Sequence, residues 1–229
     1  MALSVVLFVP DGIVMASDGL AEVRNHANDH EFLQKKQRTI FESSLGYMVC
    51  TPCPTFVNGM PLSYYYERAI LGISNCKSAL DFTTLLSKTL KDAGVPVDNI
   101  LFYVSGYTMD QRQEVYIADR NNINKVNEGT NTESVYNFHS VGHSIWLDKL
   151  LLPTFYKFES GETVCFSPID IDFSKYSLEE AEDFACFLIN TSREIDKYAQ
   201  MNQNIGEFVF IGTHELSGKI HIRTHTQNQ

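Results

Sequence analysis

ALSVVLFVPDGIVMASDG, residues 2 to 19, decides the fold. Leu3 to Val9 is an apolar run broken only by Ser4. Pro10-Asp11-Gly12 carries turn chemistry, and Ile13 to Ser17 is a second apolar run that reaches Asp18. An Asp-Gly pair between two such runs predicts a β-hairpin. Neither run alternates cleanly between apolar and polar, so the hairpin needs cover on both faces.

Working outward, residues 19 to 36 are polar and aperiodic and read as loop. Thr39 to Phe41 and Tyr47 to Val49 predict a second hairpin turning at Ser43-Ser44, after which Pro52 and Pro54 interrupt the sheet. Helices are expected over Tyr64 to Ile73 and Ala79 to Asp92, the latter ended by Gly94 and Pro96. Ile100 to Tyr107 and Glu114 to Asp119 predict a third hairpin, Val135 to Val141 a strand, and Ile145 to Phe158 a helix interrupted at Pro153. The clearest helix starts at Ser177, with Glu180 three residues on as a capping box. Leu178, Ala181, Ala185, Leu188, Ile195 and Ala199 mark its buried face. Phe208 to Ile211 and Ile220 to Arg223 predict a last hairpin, turning over His214 to Gly218, before a polar tail from Thr224 to Gln229 that is expected to be mobile. Strand pairs alternate with helix pairs, and no linker or repeat intervenes. The economical solution is α+β: two packed antiparallel sheets flanked by helices, an αββα sandwich in one domain over residues 1 to 229.

Composition narrows the function classes. The 229 residues are 44% apolar and 20% charged, ordinary values for a globular protein. Lys plus Arg is 18 against 28 for Asp plus Glu, a net charge of -10. That balance argues against non-specific nucleic-acid binding and against docking on an anionic membrane. No apolar run reaches transmembrane length, and the first residues lack the basic region and cleavage site of a secretory signal. Five cysteines, an odd count at ordinary density, suit reduced thiols in a cytosolic compartment.

The opening segment resembles the start of the proteasome β-subunit superfamily, which includes the bacterial HslV peptidase and the Anbu proteins. From Ala2 to Asp18 the spacing matches without a gap, and Gly12-Ile13-Val14-Met15-Ala16-Ser17-Asp18 looks like that family's second strand. Phe41 and Gly46 look like its second hairpin, Ser140 to Ser144 like its Gly-Ser turn, and the helix after Ser177 like its fourth helix. The resemblance implies the αββα fold, assembly into rings whose chambers degrade proteins, and oligomers with itself or with related subunits in the cytoplasm, or in the nucleus of a eukaryote. No cofactor or metal is implied.

Such enzymes attack with an N-terminal threonine whose own amine is the base, tuned by a lysine and an aspartate and completed by backbone oxyanion donors. On this sequence the nucleophile position falls on Ala2, which has no hydroxyl. Ser4 is the nearest hydroxyl and would need three residues removed before it could act with its own amine. Asp18 matches the family's acid, and reads equally as a turn or salt-bridge residue. The lysine position falls among Lys36, Gln37 and Arg38, with Gln37 the best fit. The oxyanion glycine falls near Thr51, the arginine after the acid is Leu20, and the serine after the turn glycine is His143, with Ser144 adjacent. Asp196 matches the second acid only with an insertion before Gly206. The expectation is therefore a non-catalytic subunit of a proteasome-like assembly. The alternative is an N-terminal-nucleophile amide hydrolase trimmed to Ser4.

Other constellations read more plainly. Cys50-Thr51-Pro52-Cys53 is a C-x-P-C match that allows dithiol redox chemistry, but Pro54 follows where a helix should open. Cys76, Cys165 and Cys186 are too dispersed for a structural zinc site. His139 and His143 straddle a strand end, and His221 and His225 fall on a terminal strand and tail. Tyr64-Tyr65-Tyr66 is either a partner contact or the amphipathic start of a helix, and Glu179, Glu180, Glu182 and Asp183 suit a helix N-terminus.

Overall fold

A computed structural model describes residues 3–24, 32–52, 55–127, 136–142, 147, 154–157, 161–166, 171–198 and 208–226. The opening hairpin is β1 (Ser4–Val9) and β2 (Gly12–Asp18), paired antiparallel with Ser4 opposite Ser17. Then come β3 (Leu20–Arg24), β4 (Phe32–Lys36), β5 (Ile40–Glu42), β6 (Met48–Cys50), β7 (Phe56–Val57) and β8 (Met60–Pro61). Two helices follow, α1 (Leu62–Gly72) and α2 (Ala79–Asp92). The next strands are β9 (Leu101–Tyr107), β10 (Gln113–Asp119), β11 (Asn122–Lys125), β12 (Phe138–Val141), β13 (Thr154–Lys157) and β14 (Thr163–Phe166). The chain closes with α3 (Leu178–Tyr198), β15 (Phe208–Glu215) and β16 (Ile220–Thr226).

One five-stranded sheet runs β12-β1-β2-β15-β16 and the other β11-β10-β9-β6-β5, all pairs antiparallel. The expected α+β sandwich is present. Strand alternation explains its layers. Leu3, Val5, Leu7 and Val9 face α3, with Val14, Ala16, Ala185, Leu188 and Ile189. Val6, Phe8, Ile13 and Met15 face the second sheet, meeting Ile40, Met48, Tyr103 and Val115. On the far side of that sheet, Val49, Phe102 and Val104 pack against Tyr66, Phe82 and Leu86 of α1 and α2. β1 is therefore buried on both faces, which is why its sequence shows no polar face. Burying each such side chain stabilises the fold by roughly 1.5–3 kcal/mol. Gly212 lets the sheets close: a Cβ there would lie 2.5 Å from Met48 Sδ and 2.8 Å from Ile40 Cγ2.

Several expectations are corrected. The stretch read as loop from 19 to 36 contains the β3–β4 hairpin, with Leu20 opposite Lys36 and Arg24 opposite Phe32. Five of its ten strand residues are apolar, but Glu22, Arg24, Gln34, Lys35 and Lys36 interrupt them and leave no legible period. The helix expected over 145 to 158 fails at 154–157, where β13 pairs with β14. Thr154-Phe155-Tyr156 has strand-favouring side chains, and Pro153 before it opposes helix continuation. Elsewhere in that range only Leu147 is described; it is helical and buried. His214 belongs to β15 and not to the following turn, and β16 runs on to Thr226 into the stretch expected to be a mobile tail. The strands β7, β8, β11 and β14 were not legible in the pattern.

Candidate functional site

Where β1 begins and β2 ends, beside β6, a line of small polar side chains lies wholly buried. The register sets Ser4 opposite Ser17, and sheet packing brings Cys50 of β6 against them. Ser4 Oγ donates to Ser17 Oγ at 2.6 Å, and the Cys50 thiol donates to Ser4 Oγ at 3.7 Å. Ser17 Oγ has two backbone acceptors in reach, the carbonyls of Asp18 at 3.2 Å and Thr51 at 3.4 Å. The proton direction thus runs from thiol to Ser4 to Ser17 to backbone. Ser4, Ser17, Asp18 and Cys50 are all 0% exposed. Burial pushes the Cys50 thiol up to about 12, against the opposing pull of its serine neighbours. It is therefore a neutral donor and no base.

Chemically this is a satisfied relay. A serine nucleophile needs a base to take its proton and an open path to substrate. Ser4 gives its proton to another hydroxyl and has no exposed surface. The adjoining backbone is tied as well: Asp18 N–H donates to the Leu3 carbonyl at 3.0 Å, and Thr51 N–H donates to the Thr39 carbonyl at 2.8 Å.

No family model matches the sequence, and no curated protein sequence matches it. Solved structures do. An Anbu (ancestral beta-subunit) protein from Yersinia bercovieri aligns over 99% of this chain and 88% of its own, with a TM-score of 0.59 and 13% identity. A Gly-1 mutant of Anbu from Hyphomicrobium sp. strain MC1 aligns over 100% of this chain and 89% of its own, at 0.58 and 12%. The subunit in a helical assembly of the Anbu complex from Pseudomonas aeruginosa aligns over 99% and 88%, at 0.61 and 16%. The chain has the Anbu fold. At these identities the likeness is one of fold.

Within this Anbu fold the positions singled out from the sequence separate clearly. Ala2, His143, Ser144 and Cys53 lie outside the described residues. Asp196 lies on α3, and Leu20 opens β3. Of the three candidates for the lysine, Gln37 is the inward one. It is buried, its Nε2 donates to the Thr55 carbonyl at 3.2 Å, and its N–H donates to the Gly19 carbonyl at 2.8 Å. Lys36 is exposed, its ammonium 4.5 Å from the centre of the Phe208 ring. Arg38 is exposed and donates to the Ile40 carbonyl at 2.7 Å. Neither cation enters the relay. Thr51 spends its hydroxyl on the Leu101 carbonyl at 3.0 Å. The acidic run at the start of α3 splits by role: Glu180 caps, while Glu182 bonds Thr213 and Arg223.

Two members of the relay, Ser17 and Cys50, were not legible as partners of Ser4. Ser17 shares a hairpin with Ser4, so the Asp-Gly turn and a register count locate it. Cys50 is 46 residues from Ser4 and meets it only through packing of the two sheets. Among the described residues, no group of three or more His, Cys, Asp or Glu is arranged to hold a metal ion, and no helix is long and apolar enough to cross a membrane.

Proposed function

We propose that this chain is a non-catalytic β-type subunit of a proteasome-like assembly, a single β-type unit that associates with copies of itself or with related subunits in the cytoplasm. The observation that carries the reading is the closed relay at Ser4. The hydroxyl nearest the nucleophile position is buried and donates to Ser17, and its thiol neighbour is held in the neutral form. The sequence supports it further, with Ala2 at the nucleophile position and Gln37 at that of the lysine.

Trimming to Ser4 is disfavoured by the fold's own energetics. It would remove Leu3, which is fully buried against α3 and accepts the Asp18 N–H. Truncating a buried leucine costs roughly 2–5 kcal/mol, and deleting it costs no less. Native mass spectrometry reads the assembly mass and the N-terminal mass together, and a fluorogenic peptide assay reads turnover. The expected result is a discrete oligomer of chains that retain Leu3, with no peptidase activity. A chain beginning at Ser4, with hydrolysis lost in Ser4→Ala, would establish the hydrolase instead. A monomer, alone and with candidate partner subunits, would remove the assembly role.

A further inference from the structure

Three alternate residues of β9 reach across the sandwich to the first sheet. Tyr103 Oη lies 2.8 Å from His139 Nδ1, Ser105 Oγ lies 3.0 Å from His214 Nδ1, and Tyr107 donates to the His214 carbonyl at 2.7 Å. From β10, Gln113 Nε2 donates to the Val9 carbonyl at 2.6 Å. The tyrosine rings also stand edge-on to the imidazoles, with centroids 5.7 Å apart for Tyr103–His139 and 4.7 Å apart for Tyr107–His214. Between these contacts and the Ser4 relay the interface is lined by apolar side chains, including Val6, Phe8, Ile13 and Met15.

A neutral imidazole fits such a seam. With its proton on Nε2 it accepts a hydroxyl proton at Nδ1. A protonated one does not fit. Nδ1 becomes a donor and the hydroxyl must reverse, and at the buried His214 a full charge sits in a region of low dielectric, while His139 is half-buried. We propose that His139 and His214 make the two-sheet interface an acid-released clamp, locked while both imidazoles are neutral and forced open when they are protonated.

Among the described residues, the surroundings offer little to stabilise a cation there. His214 is faced by Ser105 and Tyr107 of β9, while β2 sets Ile13 beside it and β16 sets Ile220. β10 presents Gln113 and Val115 to the seam, and the carboxylate of its Glu114 is paired with Lys125 at 3.2 Å. The adjacent Glu215 is engaged by Ser217 at 2.8 Å and His221 at 3.1 Å. His139 is faced by Tyr103 and flanked by Val6, and the Cys50 thiol lies next to Tyr103 in register. Burial lowers both imidazoles, His214 to about 4 from an ordinary 6.5.

The sign follows from linkage. A base whose folded pKa is depressed binds fewer protons in the native state than in the unfolded one, so stability falls as pH drops below the unfolded value. Between 6.5 and about 4, His214 lowers the folding equilibrium constant by a factor on the order of 10² to 10³, and His139 adds to it. Urea unfolding from pH 7.5 to 4.5 tests this in wild type, His214→Gln and His139→Gln/His214→Gln. The loss on acidification should shrink at least tenfold in the double variant. Gln113→Ala is the control: it removes a seam hydrogen bond that touches neither imidazole, so it should be less stable at every pH with the slope unchanged. Equal pH dependence in wild type and double variant overturns the clamp. If the glutamine variants do not fold, NMR titration of the wild-type histidines decides: two depressed midpoints support it, and all midpoints near 6.5 overturn it.

Discussion

The hydroxyl proton of Ser4 goes to Ser17, and its oxygen takes the thiol proton of Cys50, so replacing Ser4 leaves two buried groups short of a partner. Ser4→Ala should cost about 1–3 kcal/mol of stability by urea unfolding, the penalty for unpaired buried donors and acceptors. Peptide hydrolysis and assembly mass should stay as in wild type. A stability change within error together with loss of a measurable activity would reverse the assignment. The neighbouring thiol gives a second prediction. Thiolates react and thiols do not, and Cys50 is buried and held up to about 12, whereas Cys165 is exposed. Alkylation of the native protein at pH 8 followed by peptide mass spectrometry should label Cys165 and leave Cys50 unmodified until denaturant is added. Rapid native labelling of Cys50 would reopen the dithiol reading of Cys50 and Cys53. The sequence displays Ser4 and Asp18 because they sit in one local hairpin whose register can be counted. It hides the Cys50 contact because no local pattern encodes how two sheets are stacked.

Local chemistry decides most of the elements, and α3 shows how. Ser177 N–H and Oγ–H both donate to Glu180 Oε2, at 2.8 and 2.9 Å, while Glu180 N–H donates back to Ser177 Oγ at 3.3 Å. Ser177→Ala should therefore cost about 1 kcal/mol by thermal or urea unfolding, within the range for N-cap losses. The backbone hydrogen bond from Ser177, with its hydroxyl, holds the Glu180 carboxyl below its ordinary range. A depressed acid contributes stability above its unfolded pKa and loses it as pH falls through the folded value. The cap's share should therefore fade in acid as the pH falls below the ordinary 4.5, and Glu180→Gln should remove that part of the pH dependence. An unchanged acid limb in Glu180→Gln would show that the carboxylate contributes nothing. Caps, Asp-Gly turns and apolar periods were readable for β1, β2, α2 and α3 because each is set within a few residues. The β3–β4 hairpin was not readable, since a ladder between Leu20–Arg24 and Phe32–Lys36 needs no apolar stripe. Nor was β13, where a strand stands in place of an expected helix.

For the whole molecule, the stacking of the sheets is the feature on which every inter-sheet contact depends, from the Ser4 relay to the histidine seam. Gly212 is a sensitive probe of it. The residue lies on the sheet-facing side of β15, and a methyl group there would press on Met48 Sδ at 2.5 Å and Ile40 Cγ2 at 2.8 Å, both from the second sheet. Gly212→Ala should destabilise by about 1–3 kcal/mol through overpacking, despite the gain expected from reduced chain entropy. Met48→Ala alone opens a cavity and should cost about 2–5 kcal/mol. Combined, the new methyl occupies part of the space the methionine vacates. The double variant should be more stable than the sum of the two single losses predicts, by at least 0.5 kcal/mol of coupling in a double-mutant cycle. Strict additivity would mean that β15 and β6 do not approach at Gly212 as the fold requires. The relay and the seam would then both lose their geometric basis, because Cys50 lies on the same strand as Met48 and His214 on the same strand as Gly212.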